Sequence, residues 1–160
     1  MKILALETSA VTASAAVTED DRLLAQSFQN SGLTHSATLM PMVSDLLKNT
    51  GLALQDMDVI AVAAGPGSFT GVRIGVAAAK GLAWPEDKPC APCSTLESMA
   101  WQCAHVGGEI CAAMDARRNQ VYCARFRAEG GALIRLTEDR AMGLDELAAE
   151  VRAAAAPQAL

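Results

Sequence analysis

Ala64 to Trp84 reads AGPGSFTGVRIGVAAAKGLAW, and the use made of its glycines decides the fold. The stretch follows the apolar run Val59–Ala63 and leads into a helical pattern, so Gly65-Pro66-Gly67-Ser68-Phe69-Thr70-Gly71 reads as a strand-to-helix turn. Gly65 and Gly67 supply backbone angles that larger residues resist, Pro66 stiffens the bend, and Ser68 or Thr70 caps the helix. Such a turn aims N–H groups at the space before the helix, which suits an anion and equally suits simple chain reversal. Neither the P-loop pattern nor the dinucleotide fingerprint is present. On the helical wheel Arg73 and Lys80 share one stripe, with Gly71, Gly75, Ala78 and Leu82 opposite and apolar residues on both flanks. That arc is too wide for a helix covering one sheet face, so contact on two sides is expected: its own sheet and a second element, from this chain or a partner.

Working outward, 160 residues with 51% hydrophobic content are ample for a buried core in one compact domain or two small lobes. A net charge of −5 argues against a broad nucleic-acid face, and the one basic cluster is Arg117-Arg118 with Arg125 and Arg127. No apolar run approaches the ~18 residues of a membrane span, and MKILALETS lacks a leader pattern. Five cysteines, an odd count, fit a reducing compartment, so a cytoplasmic protein without membrane association is expected.

Lys2–Glu7, Thr12–Thr18 and Arg22–Phe28 read as a strand meander, with Glu19-Asp20-Asp21 as a turn. Thr34–Asn49 carries Leu39, Met42, Val43, Leu46 and Leu47 at helical spacing, with Thr34 as a capping candidate, Pro41 in the first turns and Gly51 as the stop. Val59–Ala63 suits a strand parallel to the first. Cys90–Cys93 is a brief extended piece, and Ser94-Thr95-Leu96-Glu97 is a capping box for a helix to about His105. After Gly107-Gly108 the plan restarts with Ile110–Asp115, Gln120–Phe126, Ala132–Leu136 and a helix at Leu144–Ala154. Glu7 and Asp115 then hold matching places at the ends of each half's first strand. The expected organisation is a mixed α/β fold of two halves, 1–107 and 108–160.

GPGSFTGVRIG at Gly65–Gly75, MKILALETS at the start, and Thr34-His35-Ser36 leading into Leu39-Met40-Pro41-Met42 resemble the bacterial TsaB (YeaZ) family. The resemblance covers Met1 to about Tyr122. It implies duplicated β-β-β-α lobes of the actin-like/sugar kinase/Hsp70 class (ASKHA, ribonuclease H-like). It implies a non-catalytic paralogue of TsaD that works with TsaD and the ATPase TsaE in threonylcarbamoyl transfer to adenosine 37 of tRNAs reading ANN codons. Transfer RNA is then met only through the complex, ATP and metal sit on partner subunits with no cofactor held tightly here, and a homodimer forms when the partner is absent. Related chains continue for several dozen residues past the end of this sequence, so the second lobe is expected to be partial.

The expected interface is the Leu39, Met42, Val43 and Leu46 face of the first helix with the Gly71, Gly75, Ala78 and Leu82 row of the second. Glu7 and Thr8, with Gly65, Gly67, Ser68 and Asp115, make a degenerate ligand site, because neither hairpin beside the two acids has phosphate-approaching glycines. No catalytic or metal residue is assigned. His35 and His105 form no metal pair, and His35 reads as part of a helix start; Cys90-Ala91-Pro92-Cys93 reads as incidental thiols, with redox or zinc use as the competing possibility. A glycoprotease-like peptidase lacks a nucleophile with a base, and a stand-alone ATPase or kinase lacks phosphate loops.

Overall fold

A computed structural model describes residues 1–155 of the chain; 156–160, including Pro157 and Leu160, lie outside the described residues. The chain divides into two compact units, Met1–Thr95 and Leu96 onward. The boundary therefore falls at the start of the helix at Thr95–Trp101, between Thr95 and Leu96, and not at Gly107-Gly108. The reason is packing: Leu96 and Ala100 of that helix are buried with Ala112, Ala124 and Phe126, which lie beyond the glycines.

In the first unit, β1 (Lys2–Glu7), β2 (Ala13–Glu19) and β3 (Arg22–Gln29) form the expected meander, followed by α1 (His35–Thr50), β4 (Val59–Gly65), α2 (Phe69–Ala83) and β5 (Cys90–Ser94). The sheet order is β3-β2-β1-β4-β5. β1 runs antiparallel to β2 and parallel to β4, with Leu4 beside Ile60. Alternation along the strands sends Leu4, Leu6, Ala13, Ala15, Val17, Ile60 and Val62 to one face. There α1 packs on β2 and β3 while α2 packs on β4 and β1. Each fully buried aliphatic side chain contributes about 1.5–3 kcal/mol, which makes this layer the main source of cohesion in the unit.

The face of α1 expected to meet a partner belongs to that core. Leu39, Met42, Val43 and Leu46 are 1, 2, 2 and 4% exposed, because the sheet beneath needs an apolar cover and α1 is the element lying over β2 and β3. Those four residues are thus closed to any other chain. Pro41 lies in the second turn without interrupting the helix, and Gly51, at φ 67°, ends it by donating its N–H to the Leu47 and Lys48 carbonyls.

In the second unit α3 (Thr95–Trp101) precedes β6 (Gly108–Arg117), β7 (Gln120–Glu129), β8 (Ala132–Arg135), β9 (Arg140–Gly143) and α4 (Leu144–Ala155). The sequence reading gave three strands here. The third is β8, and after a break a further short strand, β9, follows that the sequence reading did not give, both pairing with β7. The break occurs where Arg125 N–H donates to Thr137 Oγ1 at 2.9 Å, while the N–H groups of Leu136 and Thr137 donate to the Arg125 carbonyl. α3 covers the face of Ala124 and Phe126, and Leu147 of α4 covers Cys123 and Met142 on the other.

Arginines and carboxylates tie this unit together. Arg125 bonds Glu109 at 2.5 Å and Glu150 at 3.3 Å, Arg127 bonds Glu109 at 3.2 Å, and Arg140 bonds Glu150 at 2.6 Å. The Arg140 hydrogen bond, reinforced by Arg125, holds the Glu150 carboxyl below its ordinary 4.5, and hydrogen bonds from Arg125 and Arg127 do the same at Glu109. A carboxylate whose folded value is depressed lends stability above its unfolded value and loses it as pH falls through the folded one. Lowering pH from about 6 to about 3 should therefore reduce the melting temperature of the wild type more than that of a Glu109→Gln/Glu150→Gln variant. The difference should be only a few degrees, about what solvent-screened pairs give, as read by circular dichroism.

Candidate functional site

The β1–β2 turn lies against the start of α2, and this contact explains the glycine motif. Gly65, at φ 113°, takes a backbone angle closed to other residues. Ser68 is the N-cap and its Oγ accepts from the Gly71 N–H at 3.3 Å. Ser68 N–H in turn donates to the Ser9 carbonyl at 2.6 Å. Thr8, fully buried, donates its hydroxyl to the Gly71 carbonyl at 2.8 Å. A Cβ on Gly67 would lie 2.5 Å from the Ser9 carbonyl oxygen; one on Gly71 would overlap the Thr8 carbonyl oxygen, and one on Gly75 the Thr8 hydroxyl.

The small-residue row therefore admits the chain's own backbone, and its expected role as a partner face is corrected. Gly71 and Gly75 are buried with Ala79 and Ala83, while Ala78 and Leu82 are half-buried against the same core. The wheel located a smooth close-approach face. It carried no sign that the Thr8-Ser9 turn, more than fifty residues earlier in sequence, fills it.

Glu7, Thr8, Gly65, Gly67 and Ser68 do come together around this turn. Their polar groups serve the fold: the Glu7 carboxylate accepts from the Ser9 N–H, as Thr8 and Ser68 serve α2. The turn has no glycine from Thr8 to Thr12 to let backbone approach a phosphate, and the buried Ser9 Oγ within it has no hydrogen-bond partner among the described residues. His35 joins the same arrangement, its Nε2–H donating to the Ala10 carbonyl at 2.9 Å, so it fastens the β1–β2 turn to the start of α1. Asp115 stands at the end of β6 in the second unit and repeats the Glu7 pattern, accepting from the Arg117 N–H at 2.7 Å.

Cys90 and Cys93 are exposed on β5, and residues three apart on a strand face opposite sides, which separates their thiols. Cys103 and His105 are exposed beyond α3. Among the described residues no group of three or more His, Cys, Asp or Glu side chains is placed to hold a metal, and no helix is long and apolar enough to cross a membrane.

What α2 turns outward is different. Phe69, Arg73, Ala77, Lys80 and Trp84 recur at helical spacing and are all exposed. Phe69 is 70% and Trp84 87% exposed, and the Arg73 guanidinium lies 3.8 Å from the Phe69 ring centroid. Beside it α1, which touches α2, exposes Met40 and Pro41. The sequence reading found Arg73 and Lys80 but missed the aromatics at either end. The available signal was the four-residue spacing of each from one of those two cations, in a chain with only two tryptophans.

A mixed sheet under two helices, then a second meander with its own closing helix and an acid in the matching place, defines an α/β protein of the ASKHA class. The family model described as "TsaD: tRNA N6-adenosine threonylcarbamoyltransferase" matches residues 23–156. The chain belongs to the TsaB (YeaZ) family within that group. It is 41% identical over 140 residues to the "tRNA threonylcarbamoyladenosine biosynthesis protein TsaB" of Bacillus subtilis, a match covering 88% of this chain and 61% of the relative. The Escherichia coli protein of the same name is 38% identical over 131 residues, covering 81% and 56%. The solved structure "YeaZ from Pseudomonas aeruginosa" superposes with a TM-score of 0.81 at 32% identity, covering 88% of this chain and 66% of that one. The chain thus spans about three fifths of the length of the curated relatives it matches.

Proposed function

We propose that this chain is a non-catalytic partner subunit in the formation of threonylcarbamoyladenosine on tRNA. It pairs with a TsaD-like catalytic subunit and works with a TsaE-like ATPase, in support of threonylcarbamoyl transfer to adenosine 37 of tRNAs reading ANN codons. The observation that carries the pairing is the outward face of α2, where Phe69 and Trp84 stand exposed at its two ends. Aromatic side chains of this kind dominate protein interfaces when a partner desolvates them. The Thr8 hydroxyl and the Glu7 carboxylate, bonded within the fold, support a role without chemistry of its own, with ATP and metal on the partner subunits and tRNA reached through the complex. The same helical face serves a homodimer when the partner is missing, and the cytoplasm is where such a tRNA-modifying assembly works.

Reconstitution tests the reading. The purified chain is mixed with TsaD, TsaE, a threonylcarbamoyl-adenylate source and unmodified tRNA, and modified nucleoside is counted by mass spectrometry. Modification should fall at least about tenfold when this chain is left out, and the chain alone should modify nothing. Full modification without it would overturn the proposal.

A further inference from the structure

The outward residues of α2 follow the same order from either end. Phe69 and Trp84 stand outermost, Arg73 and Lys80 lie inside them, and Ala77 is near the centre. The midpoint of both pairs falls between Val76 and Ala77. At 1.5 Å per residue the cations are about 10.5 Å apart along the axis and the aromatics about 22 Å, and all five residues lie within about 80° around it.

The stripe carries one sign of charge. α2 has no acidic residue, in a chain whose net charge is −5. Among the described residues neither Arg73 nor Lys80 is ion-paired; Arg73 rests on the Phe69 ring. Glu86 and Asp87 lie beyond Trp84, and Glu86 accepts from Gln55 at 2.7 Å. The exposed side of α1 adds one acid and one cation, Asp45 and Lys48, which offset each other.

Two copies of this stripe laid antiparallel about its midpoint bring Phe69 level with Trp84 and Arg73 level with Lys80, each twice. Laid parallel, they bring each cation level with its own equivalent. In both arrangements the apolar side chains match and like charges oppose. We propose that the stripe is selective for an acidic helix of a different chain, with two carboxylates about two turns apart and an apolar side chain one turn outside each, and selects against a second copy of itself. The inference rests on the subunit role proposed above: it gives the TsaD-like subunit the acidic helix and makes the homodimer the weaker assembly. Apolar contact is available to both partners, so charge decides between them.

The charge-reversed chain, Arg73→Glu/Lys80→Glu, is a probe of that chemistry, because the mirrored spacing brings its acids level with the cations of wild type. Ultracentrifugation with one chain fluorescently labelled measures each pairing, and circular dichroism checks the fold. At about 0.1 M salt the mixed pair should be about tenfold tighter than either self-pair. The preference should vanish by about 1 M, as the screening length falls from about 10 Å to about 3 Å. Wild-type self-pairing should strengthen over that range, while pairing with the TsaD-like subunit weakens and falls about tenfold with Lys80→Glu. No preference for the mixed pair, a wild-type self-pair that salt weakens, or tighter binding to unmodified tRNA than to the TsaD-like subunit would each overturn the inference. A TsaD-like subunit that responds to Trp84→Ser but ignores Lys80→Glu and salt would overturn it while the subunit role stands. One that binds at no salt concentration would remove the subunit role and the inference with it.

Discussion

Gly71→Ala is expected to cost the first unit at least about 3 kcal/mol, a value at the severe end for a single methyl group. The added carbon would overlap the Thr8 carbonyl oxygen, a backbone atom that cannot swing aside. Thr8 is itself fixed from both directions, its hydroxyl on the Gly71 carbonyl and its strand in the centre of the sheet. Gly81 is the control, lying on the exposed side of the same helix with nothing within 4 Å of a built Cβ. Gly81→Ala should stabilise by about 0.5–1 kcal/mol, since alanine gives up less backbone freedom in a helix. Gly75→Ala falls between the two. Its clash is with the Thr8 hydroxyl, so in a Thr8→Ala background its cost should shrink. Urea unfolding of the six chains, wild type and Thr8→Ala included, measures all of this. Equal effects at Gly71 and Gly81 would show that the contact with the β1–β2 turn does not fix the helix.

Trp84→Ser should leave the urea midpoint nearly where it was, since an exposed substitution away from special contacts changes stability within about 0.5 kcal/mol. It should nevertheless weaken pairing with a TsaD-like subunit at least about tenfold, the loss expected of an aromatic anchor in a buried interface. Trp84 is 87% exposed at the end of α2 and Phe69 70% at its start. Phe69→Ser should act in the same direction with a smaller effect, because part of its ring is already covered by Arg73. Titration by fluorescence anisotropy, with circular dichroism alongside, separates binding from folding. Tight pairing by a folded Trp84→Ser/Phe69→Ser chain would place the partner elsewhere.

Those two experiments divide α2 into an inner and an outer half, which periodicity alone did not assign correctly. The strands of the first meander, both long helices and the strand–turn–helix at Gly65 were legible because alternation, capping and glycine stops are local signals. Ser68 as N-cap and Gly51 as C-cap could be read from a few neighbouring residues. The purpose of Gly71 and Gly75 could not, because it depends on Thr8, a residue distant in sequence and next to them in space. Small residues in a row announce a close approach without naming what approaches. Leu39, Met42, Val43 and Leu46 were legible as one apolar face, but an apolar face looks the same whether its cover is the chain's own sheet or another subunit. The additional strand β9 escaped for a related reason, since the break before it is made where Thr137 takes over hydrogen bonds of Arg125 through a tertiary contact.

The fit of Gly67, Gly71 and Gly75 to the turn at Thr8-Ser9 bears on how function is inherited among chains of this shape. A glycine held by internal clearance is under constraint from folding alone, whatever the protein goes on to do. A search keyed to GPGSFTGVRIG will therefore gather molecules that share a way of seating a helix on a strand end, enzymes and non-enzymes alike. Residues able to separate those two groups lie on the outward stripe from Phe69 to Trp84, where clearance imposes nothing and each lineage is free to suit its own company.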